Sequence, residues 1–225
     1  MIVIKRGKEP NSLLKFRKEN PDADYESDMH TEVLKDIREQ MWKEQRCLCA
    51  YCMKKIEDPS VVRIEHCRPR HPQDEQEHDK KATLDFKWML GVCYGNSLVR
   101  GVKPEDKTCD AHRGNTELTV NPFDELSVRK IRYKADGSIY SDDADINKDV
   151  TETLNLNCQA LSLPQTRKNV LMAEKNRIMR KCKGKSQDAF MRELERTYAS
   201  LVQERNLTPY CGIIISWLES KLKIS

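Results

Sequence analysis

Four cysteines carry the most specific chemical signal in this chain. Cys49-Ala50-Tyr51-Cys52 is a pair whose two-residue spacer forms a tight knuckle, presenting both thiolates to one tetrahedral ion. Cys93 and Cys109 follow after 40 and then 15 intervening residues and can close a four-thiolate site. The expected ion is a structural Zn²⁺, which makes binding energy part of folding energy. Cys47 is close enough in sequence to compete with Cys49, and Cys109-x-x-His112 is an alternative second pair. Cys67, Cys158, Cys182 and Cys211 have no such pairing and read as ordinary buried thiols. A thioredoxin-like redox role for Cys49 and Cys52 fits poorly, because no βαβ pattern surrounds them.

Between the two halves of this site lies Val61-Val62-Arg63-Ile64-Glu65-His66-Cys67-Arg68-Pro69, a β-prone run ending in a carboxylate beside an imidazole. Pro69 stops a regular strand from continuing far, so the pair sits at a strand end. Phosphodiester hydrolysis needs a base to take a proton from water and a cation to offset charge on the phosphate. Imidazole suits the first task, and carboxylate oxygen bound to Mg²⁺ or Mn²⁺ suits the second. A Glu-His dipeptide is common by chance; its position between the cysteine pairs makes it a candidate. After Cys109 comes Asp110-Ala111-His112-Arg113-Gly114-Asn115. If a helix begins there, Asp110 and His112 lie near its N-terminus within reach of a metal held by Glu65, Asp110 can also cap the helix, and Arg113 can approach phosphate.

These residues need elements to position them. Thr31 can cap a helix over 31–46 that carries Val33, Leu34, Ile37, Met41 and Trp42 on one side. Before it, Ile2–Lys5 reads as a short strand followed by surface-running chain. From Cys47 to about Phe123 the apolar pieces are short, among them Met89-Leu90-Gly91-Val92, and the segment from His71 to Lys81 is very polar. Such a region needs more than a hydrophobic core to hold it. Residues Val128–Tyr140 read as a hairpin turning at Ala135-Asp136-Gly137-Ser138. Helices are expected from Leu161 to Arg180, from Gln187 to Arg205 and from Tyr210 to Lys223. The expected organisation is an N-terminal extension and helix over 1–46, a metal-stapled core over 47–123, and a hairpin with a helical C-terminal region over 124–225.

Composition bounds the function classes. The chain has 225 residues, 38% hydrophobic and 34% charged, a folded protein with a charge-rich surface. No apolar run approaches bilayer-spanning length, and Met1-Ile2-Val3-Ile4-Lys5-Arg6 is too soon charged for a signal peptide, so a cytoplasmic protein with no membrane partner is expected. Nine cysteines at uneven spacing fit metal ligation better than a disulfide framework. The net charge of +4 is slight, but Pro164–Lys185 holds Arg167, Lys168, Lys175, Arg177, Arg180, Lys181, Lys183 and Lys185 against the single acid Glu174. A solvated helix face explains such a run, and so does contact with a nucleic-acid backbone.

The order of these elements resembles the HNH (ββα-metal) endonucleases, in particular their zinc-stapled members. The match is carried by Cys49-Ala50-Tyr51-Cys52, Ile64-Glu65-His66-Cys67-Arg68-Pro69, Leu90-Gly91-Val92-Cys93 and Cys109-Asp110-Ala111-His112-Arg113-Gly114-Asn115. It is closest to the PtuB-like proteins of Septu and retron anti-phage systems, with which the chain also shares a Leu154-Asn155-Leu156-Asn157 stretch. The resemblance implies an α+β fold with a ββα core and a metal-dependent nuclease acting on DNA or RNA. His66 takes the place of the general base and Glu65 that of an acidic metal ligand. Asp110 or, at a different offset, His112 takes that of the second ligand to a catalytic Mg²⁺ or Mn²⁺, and Arg113 stands where a lysine is usual. Where relatives carry a middle Asn, this chain has Trp88-Met89-Leu90, with Asn96 a candidate substitute. The implied partners are nucleic acid, held by Arg113, Arg167, Lys168, Lys175, Arg177, Arg180 and Lys181, and a PtuA-like ABC-type ATPase. Retron versions add a reverse transcriptase with its reverse-transcribed DNA. A non-catalytic zinc-stapled subunit that binds nucleic acid is the alternative function.

Overall fold

The structure, a computed structural model, describes residues 1–68, 80–203 and 207–224. Pro69, nearly all of the polar segment from His71 to Lys81, and Arg205 lie outside the described residues. The architecture is α+β: two small antiparallel sheets set among helices.

Three helices open the chain, α1 (Asn11–Glu19), α2 (Tyr25–Asp28) and α3 (Thr31–Glu44). The spacing of Val33, Ile37 and Met41 buries one stripe of α3, while Glu39 and Lys43 pair on its outer side. Thr31 is the first helical residue rather than the cap; His30 holds the cap position without a side-chain bond. The chain leaves α3 through Arg46 and Cys47, both with φ in the left-handed region. The expected strand at Ile2–Lys5 does not form. A backbone bond from Ile4 N–H to the Pro122 carbonyl, 2.9 Å, holds this stretch, and among the described residues no neighbouring strand supplies a ladder.

The central ribbon pairs β1 (Arg63–His66) with β2 (Met89–Val92), placing Glu65 opposite Leu90 and His66 opposite Met89. Between them the described chain holds α4 (Lys80–Thr83) and a 3-10 turn at Phe86–Trp88. All four residues of β2 are buried, which is why it reads as an unbroken apolar run. Gly91 is tightly enclosed: a Cβ there would stand 3.0 Å from Val62 Cγ1, which would have to give by a few tenths of an ångström. A 3-10 turn at Pro104–Asp106 and the one-turn helix α5 (Asp110–Arg113) follow.

Beyond it come α6 (Glu125–Arg129) and the expected hairpin, β3 (Ile131–Tyr133) with β4 (Ile139–Ser141). The hairpin starts later than Val128 because Asp124 caps α6 by accepting from Leu126 N–H. Gly137, at φ +90°, makes the turn and lies so close to the Pro164 carbonyl that no Cβ fits. Then follow α7 (Ala144–Lys148), a π-helical turn at Asp149–Thr153, and the long helices α8 (Leu163–Cys182), α9 (Gln187–Gln203) and α10 (Gly212–Leu222).

Buried apolar side chains form two clusters. The larger takes Leu13, Ile37 and Met41 from the first segment, Tyr51, Val62, Met89 and Leu90 from the middle one, and Ile146, Val150 and Leu154 from the last. The middle region therefore does bury a core, contrary to its thin apolar pattern, because it shares one with both flanks. The second cluster joins α8, α9 and α10 through Leu171, Ile178, Leu194, Ile213 and Leu218, with Leu48 and Met53 from either side of the cysteine knuckle.

Candidate metal centre and active site

Cys49, Cys52, Cys93 and Cys109 converge, their sulfurs all within 4.8 Å of one another. Four sulfurs bound tetrahedrally at a Zn–S distance of about 2.3 Å would stand about 3.8 Å apart. The observed separations are 3.9 Å for Cys49–Cys109, 3.6 Å for Cys52–Cys93 and 3.8 Å for Cys93–Cys109. This cluster can hold a metal such as zinc. Among the described residues it is the one group of three or more potential ligands drawn together in this way.

Local backbone chemistry explains how the chain presents these thiols. An antiparallel bridge between Leu48 and Lys55 closes the knuckle, and Cys49 N–H donates to the Lys54 carbonyl at 2.9 Å. Lys54 N–H points at Cys52 Sγ, 3.4 Å away, a donor that would stabilise the charge of a metal-bound thiolate. Ala50 N–H bonds the Gly91 carbonyl at 3.1 Å, tying the knuckle to β2 just before Cys93. The buried side-chain amide of Gln45 reinforces that tie: its Nε2 donates to the carbonyls of Leu48 and Gly91, and its Oε1 accepts Gly91 N–H. Cys109 has a left-handed φ of 55°, a strained setting worth about 1–3 kcal/mol for a side-chain-bearing residue. Its N–H is held by the Leu154 carbonyl at 2.9 Å. Cys47 stays out of the cluster, and so does His112, whose Nδ1 meets the Thr153 carbonyl at 3.0 Å.

The same junction brings the end of β1 against α5. Arg113 is buried and clamps the strand: Nη1 donates to Glu65 Oε1 and to the His66 carbonyl, the latter at 2.7 Å, and Nη2 to the Cys67 carbonyl at 2.8 Å. Its Nε bonds the Thr116 carbonyl at 2.7 Å, and Tyr51, inside the cysteine knuckle, donates its hydroxyl to Glu65 Oε1 at 3.2 Å. The expectation that Arg113 reaches a phosphate is therefore corrected: only 4% of it is exposed, and its donors are committed to protein oxygens.

Of the two residues expected as alternatives, Asp110 lies beside Glu65 and His112 does not. Burial pushes the Glu65 carboxyl up to about 7, against the pull of Arg113, with the neighbouring Asp110 adding to the push. Asp110 in turn pairs with Arg63 Nε at 2.5 Å. Two adjacent carboxyl groups are suitable donors for Mg²⁺ or Mn²⁺, although Arg113 and Arg63 already balance their charge. His112 is turned away, toward the π-helical turn.

His66 is buried, 4% exposed, and stacks edge-on against Tyr25 with ring centroids 4.7 Å apart. Its Nε2 lies 2.8 Å from the Thr83 carbonyl. A carbonyl only accepts, so Nε2 is the donor in this contact. Successive strand residues point to opposite faces, so Glu65 and His66 leave β1 on different sides. Asn96, a candidate for the missing middle Asn, spends its amide on the Asp106 carbonyl at 3.1 Å, bracing the loop between Cys93 and Cys109.

The basic run on α8 also resolves unevenly. Arg167 is buried and donates to the carbonyls of Gly137 and Leu156, at 2.6 and 2.9 Å, so it is not a surface contact. Arg177 pairs with Glu174 and Lys181 with Glu193, at 2.7 and 2.8 Å, and Lys175 sits over the Trp217 ring. Lys168 and Arg180 remain exposed.

Compared with known proteins, the chain matches no family model and no curated sequence. No helix is long and apolar enough to cross a membrane among the described residues.

Gln45, Tyr51, Arg63 and the Thr83 carbonyl complete the site without having been expected in it. Tyr51 alone carried a signal, its place inside the knuckle. Nothing in the spacing of Gln45 or Thr83 announces a partner in β2 or β1.

Proposed function

We propose that this chain is a metal-dependent endonuclease of the HNH type, hydrolysing phosphodiester bonds in DNA or RNA as the effector of an anti-phage complex with a PtuA-like ATPase. In a retron setting, a reverse transcriptase and its DNA would join that complex. The observation that carries the reading is the orientation of His66. An imidazole at the end of β1, with its Nε2 held 2.8 Å from the Thr83 carbonyl and its ring edge-on to Tyr25, is fixed in orientation, as a general base must be.

In this reading the His66 imidazole takes the proton from the attacking water. Glu65 and Asp110 would hold a divalent cation, which when bound offsets charge on the phosphate and on the leaving 3′ oxygen. Arg113 acts on Glu65 and on the carbonyls of His66 and Cys67, keeping the strand end in register with α5. It is a positioning residue. The four cysteines would bind structural zinc and keep β2 and α5 together.

A second reading, a zinc-stapled subunit that binds nucleic acid without cutting it, is favoured by the Glu65–Arg113 ion pair, by the burial of His66 and by the opposite sides of β1 from which Glu65 and His66 leave. The two separate in a cleavage assay on supercoiled DNA and on RNA with Mg²⁺ or Mn²⁺. The nuclease reading requires cleavage by the wild-type protein and none by His66→Ala at equal zinc content. Undiminished cutting by His66→Ala, or binding without cutting by the wild type, would favour the second.

A further inference from the structure

Helix α8 has two long seams, and only one is used within the chain. The inner seam buries Leu163, Arg167, Leu171 and Ile178 against neighbouring elements, chiefly α9 and α10. On the outer side Asn169, Met172, Asn176, Met179 and Lys183 recur at steps of three, four, three and four, the spacing of a helix-packing seam. Met172 and Met179 are 47% and 64% exposed. Beside them runs a shallow groove of about 510 Å³ lined by Ala173, Asn176, Met179, Arg180 and Lys183.

The charge along this seam has one sign. Glu174 of α8 is directed to Arg177, and Glu193 of α9 to Arg177, Lys181 and Arg196. Lys168, Arg180 and Lys183 form no ion pair with the described residues at 4 Å or less. Thioethers are flexible and polarisable, well suited to receiving an apolar side chain from a partner.

We propose that the outer face of α8 docks an amphipathic helix of a partner protein, whose apolar seam packs on Met172, Ala173 and Met179 while flanking acids meet Lys168, Arg180 and Lys183. Charge complementarity selects this occupant. A nucleic-acid backbone would gain nothing from the two methionines, and most of the run's other bases are committed inside the chain. A second copy of the same helix would bring cations without acids to the seam. The inference does not depend on the nuclease reading.

The test is fluorescence anisotropy with a synthetic three-heptad helical peptide bearing leucines on one seam flanked by glutamates. Controls are the same peptide with lysines in the flanking positions and a short DNA duplex. The glutamate peptide should bind, weaken as salt is raised, and lose about tenfold or more in affinity, or ~1.4 kcal/mol, to the Met172→Glu/Met179→Glu protein. Leu126→Glu, at another exposed apolar site, should bind like wild type, and unchanged circular dichroism and zinc content would show that each variant is folded. Equal binding of both peptides, no loss in the double variant, or no binding of the glutamate peptide would overturn the proposal. DNA binding that alone depends on the methionines would overturn it in favour of a nucleic-acid face. Self-association abolished by the double variant would overturn it in favour of a homodimer.

Discussion

Arg113 shows how much one side chain decides at this site. Its guanidinium answers a buried carboxylate and three carbonyls, so each of its donor groups has a partner. Removing one member of a buried pair leaves the other uncompensated, at a cost of about 3–5 kcal/mol. Arg113→Met should therefore lower stability by roughly that amount, measured as a denaturant midpoint, whereas the double change with Glu65→Gln should recover a sizeable part. A solvent-facing phosphate contact would predict almost no change in either protein. The position of this arginine after the last cysteine made it a candidate phosphate ligand. Its burial was illegible, because the strand end it clamps lies 48 residues away in sequence.

At the scale of elements, the legible parts were those with a local cause. The apolar period of α3, the Asp-Gly turn of the β3–β4 hairpin and the three C-terminal helices were all written in neighbouring residues, and they form within a few residues of their expected bounds. The strand expected at Ile2–Lys5 was not legible in this way, since β propensity becomes a strand only where a partner edge is available. The contact of α8 with α9 supplies a prediction with a sign. Lys181, followed by Arg177 and Arg196, holds the Glu193 carboxyl below its ordinary value, so its contribution is present above the ordinary carboxylate range. It disappears as pH falls through the depressed value. Glu193→Gln should lower stability at neutral pH by on the order of 1 kcal/mol, because its partners are largely exposed. In strong acid the two proteins should unfold alike. A difference that persists there would mean that packing, not charge, made the contribution.

For the molecule as a whole, the four-cysteine cluster connects the two cores. The knuckle lies between Leu48 and Met53, which pack into the helical C-terminal cluster, while Cys49, Cys52 and Cys109 themselves pack in the larger one. A chelator strong enough to strip a metal from this cluster should therefore unfold both together in one transition, followed by far-ultraviolet circular dichroism and tryptophan fluorescence. Two separate transitions would show that the C-terminal helices stand without the metal centre. The convergence was legible in cysteine spacing, with Cys47 and His112 left as competitors, because ligands of one tetrahedral ion can lie far apart in sequence. The second coordination layer was not, because Gln45 and Tyr51 act through tertiary contacts.

The most direct test of this account is X-ray absorption at the zinc edge on the purified chain, with zinc counted per protein. One zinc with four sulfur neighbours at about 2.3 Å, lost together with the fold in Cys109→Ser, is the predicted result. A folded, zinc-free chain, or an ion bound through nitrogen and oxygen with fewer sulfurs, would contradict it.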